Sequence, residues 1–185
     1  MDCREVFQDS VDPRLRCRNI SLEKPECECE LESISAYSPG LVSVDEILAR
    51  LVYSPLHLDA DTGEVTEAAF SDVQDKGLSV LRLEHLAGPA IGDIGRKKQA
   101  DDRAKGKTDR IFLGTVNASV QAIRNLIYDG EGHGHSVSRA FCIYDSGLQH
   151  NPAHADVCQT PATRSEMKRA RKRLRDIFSR KPTMP

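Results

Sequence analysis

Apolar positions recur at two different spacings along this chain, and the alternation between them marks out its elements. Val44, Ile47, Leu48 and Leu51 fall three and four apart, which is the spacing of one helical face. Ser43 stands where it would cap the following amides, and Glu46 where it would reach back. The pattern therefore predicts a helix from Ser43 that stops at Ser54 and Pro55. Strict alternation takes over from Leu78 to Leu83, after Gly77, and predicts a strand. Two further strands are predicted at Arg110 to Val116 and at Ser136 to Tyr144, where Arg139 interrupts the apolar side of Val137, Phe141 and Ile143. Asn117 is placed to cap a helix carrying Val120, Ile123 and Ile127. Residues 92–110 are polar and glycine-containing and read as a surface loop. Asn151 and Pro152 suit an N-cap followed by the first position of a helical turn. The last element is the clearest. Thr163 and Glu166 form a capping box, and Met167, Ala170, Leu174, Ile177 and Phe178 share one helical face.

Helices and strands mix without a βαβ rhythm, so the expected class is α+β: a small mixed or antiparallel sheet, a few packed helices and a basic amphipathic C-terminal helix. Three parts are expected: a poorly ordered or irregular N-terminal extension at 1–42, a single domain at 43–160, and a basic helix and tail at 161–185. With 39% hydrophobic residues, 5% aromatics and no Trp among 185 residues, the core must rest on Leu, Ile and Val. The first ten residues carry acids and no apolar run, and no stretch approaches the roughly 18 apolar residues of a membrane span. Those features favour a cytoplasmic protein whose six cysteines are reduced.

Charge changes the picture at the C-terminus. Residues 163–181 hold nine basic side chains against Glu166 and Asp176, while the rest of the chain holds 17 basic and 26 acidic residues. A segment of +7 thus follows a body of −9, which suggests an appendage that meets something acidic, another molecule or its own domain. The bland alternative leaves the basic face in solvent. Lys168, Arg171, Lys172 and Arg175 are the expected partner-binding residues. An acidic protein suits them better than nucleic acid, because the acidic body repels phosphates and only Phe178 is available in the helix to stack on bases. Membrane binding lacks Trp and a second anchor, so no membrane is expected.

Candidate chemistry gathers near the middle of the second half, where four of the six histidines lie between His133 and His154. His150 and His154 are four apart, but Pro152 argues against a helix that would put them on one face. His133, His135, Asp145 and Asp156 complete no recognised ligand spacing, so neither a metal nor a cofactor is expected. A metal-free site is more attractive. Amides of a turn at Asn151 would face an anion, His154 would act as acid or base, Asp156 would orient an imidazole and Arg139 would pair with the anion. The bland alternative is an internal ion pair of Arg139 with Asp145 or Asp156. His57, Arg82, His150 and Asn151 are further ligand-binding candidates, with His85 nearby in sequence. Three other motifs fail. Gly106, Lys107 and Thr108 lack the leading glycine of a P-loop, since Asp101 stands there. Asp59 and Asp61 are followed by Glu64 and Phe70 where a calcium loop needs Gly and Glu. Cys27 and Cys29, even with Cys3 and Cys17, do not have zinc-ribbon spacing.

The segments Asp75 to Val80 and Asn151 to Val157 resemble segments of small uncharacterised bacterial proteins. The resemblance runs from about Ser43 to Cys158 and implies a bacterial setting and one compact domain; it brings no reaction, ligand or site residue with it. The sequence thus leads to a small accessory or interaction protein whose basic C-terminal helix docks on an acidic protein surface. Its alternative is an enzyme or ligand-binding protein acting on a phosphorylated or nucleotide-like ligand through Arg139, His154 and Asp156.

Overall fold

The computed structural model describes residues 2–8, 12–86, 90–128 and 138–184. Five strands form one antiparallel sheet: β1 (Ile47–Ser54), β2 (Leu78–Arg82), β3 (Ile111–Ser119), β4 (Phe141–Tyr144) and β5 (His154–Gln159), ordered β3-β1-β2-β5-β4. Around it lie α1 (Cys3–Gln8), α2 (Arg16–Glu23), α3 (Ala90–Ala104), α4 (Val120–Arg124) and α5 (Arg164–Ile177), with 3-10 segments at Pro25–Leu31 and Glu67–Val73. The fold is α+β, as the mixed pattern implied.

Each face of the sheet has its own core. Leu48 and Val52 on β1, Leu78 and Val80 on β2, and Ala155 and Val157 on β5 pack with Phe70, Ala170, Leu174 and Phe178. The opposite face carries Tyr53, beneath α3, and Cys142, Tyr144 and Cys158, beneath the N-terminal segment. Because both faces of β1 are covered, its apolar residues form an almost continuous run whose spacing imitates a helix. The helix predicted from Ser43 is therefore β1 instead. The capping pair survives as a turn before it: the Ser43 N–H donates to Glu46 Oε1 at 2.7 Å.

The loop predicted at residues 92–110 is largely α3. Gly95 serves packing there rather than a turn, since a Cβ on it would lie 2.5 Å from the Phe112 ring. The helix after β3 is capped by Ser119, which accepts from the Ala122 N–H at 3.2 Å, not by Asn117. No helical turn starts at Asn151; that residue closes a tight turn with Leu148 and leads into β5. Of the strand expected at Ser136 to Tyr144, only Phe141–Tyr144 is a strand among the described residues. His133, His135 and Ser136 lie outside them.

Two expectations for the N-terminal part are corrected. Residues 3–31 carry α1, α2 and the Pro25–Leu31 segment and bury Val6, Phe7 and Ile20. They are held there because none of the six cysteines is reduced: Cys3 pairs with Cys29, Cys17 with Cys158 and Cys27 with Cys142. At the other terminus, α5 follows its predicted capping box, with the Thr163 N–H donating to Glu166 at 2.9 Å. The tail beyond it lies along β3, where Thr115 and Thr183 exchange both backbone hydrogen bonds. Gly114 makes room for that pairing at φ +121°, since a Cβ there would meet the Thr183 carbonyl.

Candidate functional site

The apolar stripe of α5 points inward. Ala170, Leu174 and Phe178 are buried in the main core, and the Phe178 ring lies 5.1 Å from that of Phe70. This orientation sorts the basic residues. Arg175 turns back on the body, donating to Glu64 at 3.0 Å and to the Val65 carbonyl at 2.9 Å. Arg171 lies 3.8 Å from Glu67, and Arg173 donates to the Ile127 carbonyl at 2.9 Å. Arg164, Lys168, Arg169 and Lys172 face solvent. Arg164, Lys168 and Lys172 follow one another at intervals of four, so they form a row along the outer face. Of the four expected partner-binding residues, Lys168 and Lys172 therefore face outward, whereas Arg171 and Arg175 neutralise the protein's own acids.

The histidine region is built differently from its sequence reading. His154 opens β5 and Asp156 lies two residues on, so both project from the same face. Ser146, which the sequence did not single out, joins them from the loop after β4. Its Oγ donates to Asp156 Oδ2 at 2.7 Å and lies 3.0 Å from His154 Nδ1, which is also 3.0 Å from the Ser146 carbonyl. The carbonyl only accepts, so the network assigns the hydrogen to Nδ1. His154 Nε2 stands 3.9 Å from Asp156 Oδ1, beyond a hydrogen bond. The serine proton is thus held by the carboxylate rather than by an imidazole, which is not the arrangement that activates a serine nucleophile. Ser146 and Asp156 are buried, and the cluster pins the loop to β5.

Arg139 belongs elsewhere. It donates to Glu30 at 2.6 Å, and Glu30 also takes Arg124 at 3.0 Å and the Ile143 N–H at 2.6 Å. The internal pair expected with Asp145 or Asp156 is therefore not formed. Asp145 is occupied by the Ile34 N–H and the Ser33 hydroxyl, and Asp156 by Ser146. Arg139 precedes β4 at the Gln159 end of β5, and His154 lies at its other end. Five residue steps along a strand separate those ends by about 17 Å.

The remaining candidates are dispersed. Arg82 is fully buried against Glu46, to which it donates twice, at 2.7 and 2.6 Å, and it also donates to the carbonyls of Gly40 and Leu41. Burial works to raise the Glu46 pKa, but hydrogen bonds from Arg82 and the Ser43 N–H outweigh it and hold the carboxyl below its usual range. His85 is exposed, 3.9 Å from Glu46. His57 is buried just past the opposite end of β1, where its Nδ1 accepts from the Tyr53 N–H at 3.2 Å. His150 is exposed on the turn that Asn151 closes. An open depression lies between Pro55, Leu56, Lys107, Asp109 and Arg110, and none of the sequence candidates lines it. Among the described residues, no group of three or more His, Cys, Asp or Glu side chains is placed to hold a metal ion.

Glu30 and Ser146 are the polar groups that sequence reading missed. Glu30 carried one signal, its place in the acidic Glu26, Glu28, Glu30 series beside Cys27 and Cys29. No family model, curated protein or solved structure matches the chain.

Proposed function

We propose that the protein is a small accessory module that binds an acidic protein surface through Arg164, Lys168, Arg169 and Lys172 on α5. The observation that carries this reading is the outward row of cations on a helix whose other face is locked into the core. Such a helix presents its charges already ordered, so docking costs little beyond the side chains themselves. The neighbouring acids Glu64 and Glu67 are engaged by Arg171 and Arg175, which leaves the outer row to a partner. Electrostatic complementarity of this kind steers association and gives it a strong salt dependence.

The compartment bears on where such a partner is met. A cytoplasm keeps thiols reduced, so three disulfides favour an oxidising environment over the cytoplasmic setting expected from the opening residues. Among the described residues no helix is long and apolar enough to cross a membrane, and no membrane partner is part of this reading. The alternative of a ligand site built on Arg139, His154 and Asp156 has less support, because Arg139 is engaged by Glu30 at the far end of β5.

The test uses poly-L-glutamate and a single-stranded DNA of equal charge as fluorescent probes, titrated with the wild-type chain and with Arg164→Glu/Lys168→Glu/Lys172→Glu. Wild-type protein is expected to bind the polypeptide at low salt, and the triple reversal to weaken binding by roughly 10- to 100-fold with an unchanged melting temperature. Equal binding by both chains overturns the proposal, and preference for DNA replaces the protein partner with nucleic acid.

A further inference from the structure

All six cysteines belong to one of the molecule's two cores. The core between the sheet and α5 contains none of them. The core on the other face contains all six, with Val6, Phe7, Ile20, Ile34 and Tyr144 as its larger members. Cys17–Cys158 and Cys27–Cys142 run from the N-terminal segment to β5 and β4, across 141 and 115 positions of sequence. Cys3–Cys29 ties that segment to itself. The noncovalent hold is thin by comparison. Val6, Phe7, Ile20 and Ile34 are its larger buried apolar side chains, while Leu22 and Leu31 are exposed. Polar contacts add Glu30 with Arg124, Arg139 and the Ile143 N–H, Ser21 with the Gln159 carbonyl, the Cys17 and Arg18 N–H groups with the Asp75 carbonyl, and Ser33 and Ile34 with Asp145. So few buried side chains do not by themselves offset the conformational entropy of ordering α1, α2 and residues 25–34.

We propose that α1, α2 and residues 25–34 form a redox-released strap: the disulfides hold it over β4 and β5, and their reduction frees it while the sheet and α5 stay folded. In each step a dithiol gives two electrons and two protons to a disulfide. The Cys–Cys bond breaks, two cysteine thiols form, and the dithiol closes to its own disulfide. A disulfide-donating oxidant drives the reverse step and re-locks the strap. The sulfurs are buried, so exchange proceeds through local lifting of the segment rather than attack on the closed form. Release also parts Glu30 from Arg124 and Arg139, and Asp145 from Ser33 and Ile34. It uncovers Tyr144 and its cysteine neighbours as a new surface. The state of the second face thereby follows the redox poise of the surroundings.

The experiment is hydrogen exchange read by mass spectrometry on the full chain, before and after dithiothreitol, with excess iodoacetamide added at about pH 8 to parallel denatured aliquots to count thiols. Oxidised protein is expected to take up no label and to protect residues 12–34. After reduction all six cysteines are labelled and exchange in residues 12–34 rises by roughly tenfold or more, whereas β1, β3 and α5 change by less than about twofold. A chain that takes label before reduction overturns the proposal, as does equal loss of protection in α5, or a segment still protected once six thiols are counted. Cys17→Ser/Cys27→Ser, which cuts both ties to the sheet without reductant, must show the same selective release. A strap that remains protected in that variant sinks the idea independently.

Discussion

Replacing His57 with asparagine is expected to flatten the acid side of the protein's stability curve. His57 is buried, and its Nδ1 accepts from the Tyr53 N–H, so only the neutral ring fits the site. Burial, followed by the cations of Arg50 and Arg110, pushes its pKa down from 6.5 to about 4. The unfolded chain restores a value of roughly 6.5, so between these limits the unfolded state binds a proton that the fold rejects. Stability is therefore complete above pH 6.5, falls as the pH drops toward 4, and loses nothing more from this group below that. Linkage gives a loss of about 2 kcal/mol at pH 5, or nearer 1 kcal/mol once solvent screening is allowed for. With a guanidinium slope of roughly 4 kcal/mol/M, the unfolding midpoint moves down by roughly 0.3–0.5 M between pH 7.5 and 5. His57→Asn keeps an acceptor for the Tyr53 N–H and cannot take up the proton. Subtracting its titration from the wild-type one cancels every other group. Parallel curves for the two chains, or an imidazole NMR titration midpoint near 6.5 in the folded protein, would refute the reasoning.

Arg82→Met leaves Glu46 buried without its cation and is expected to cost about 3–5 kcal/mol at pH 7 in denaturant unfolding. Adding Glu46→Leu to that variant should recover much of the loss, and a double variant no more stable than Arg82→Met would count against the buried-charge explanation. Leu174→Ala removes a fully buried side chain from the main core, so about 2–5 kcal/mol and a melting temperature roughly 5–15 °C lower are expected by calorimetry. A shift under about 2 °C would mean that α5 is held by its ion pairs rather than by its apolar face.

How far the sequence could be read depends on how many layers each element touches. In α5 one face is apolar and the other charged, so stripe, capping box and start were legible from Thr163 onward, while its end, with Phe178 already extended, was not. β2 and β3 also declared themselves, through alternation after Gly77 and around Phe112 to Val116. β1 did not, because Leu48 and Val52 enter one core while Ala49 and Tyr53 face the other side, and alternation vanishes when both sides are apolar. α3 was hidden by Gly92 and Gly95, which resemble turn signals in one dimension, although Gly95 is small because the Phe112 ring packs against it. The N-terminal segment was the largest omission, since cysteines 115 and 141 positions from their partners register as separate thiols. The same holds for the candidate chemistry. His154 and Asp156 are neighbours along one strand, but Ser146 reaches them only once β4 and β5 pair. Arg139 finds Glu30 across 109 positions that no local pattern connects.

The backbone pairing of Thr115 with Thr183 has a consequence for how the molecule behaves in company. Without the tail, the outer side of β3 would present a row of free N–H and C=O groups to any passing strand, and such rows seed intermolecular sheets. Ser179 to Thr183 occupy that side, so the residues after α5 act as a guard against polymerisation. A shortened chain ending at Phe178 would keep its core helix and yet expose a sticky rim. Light scattering at high concentration would register that as concentration-dependent growth absent from the full chain.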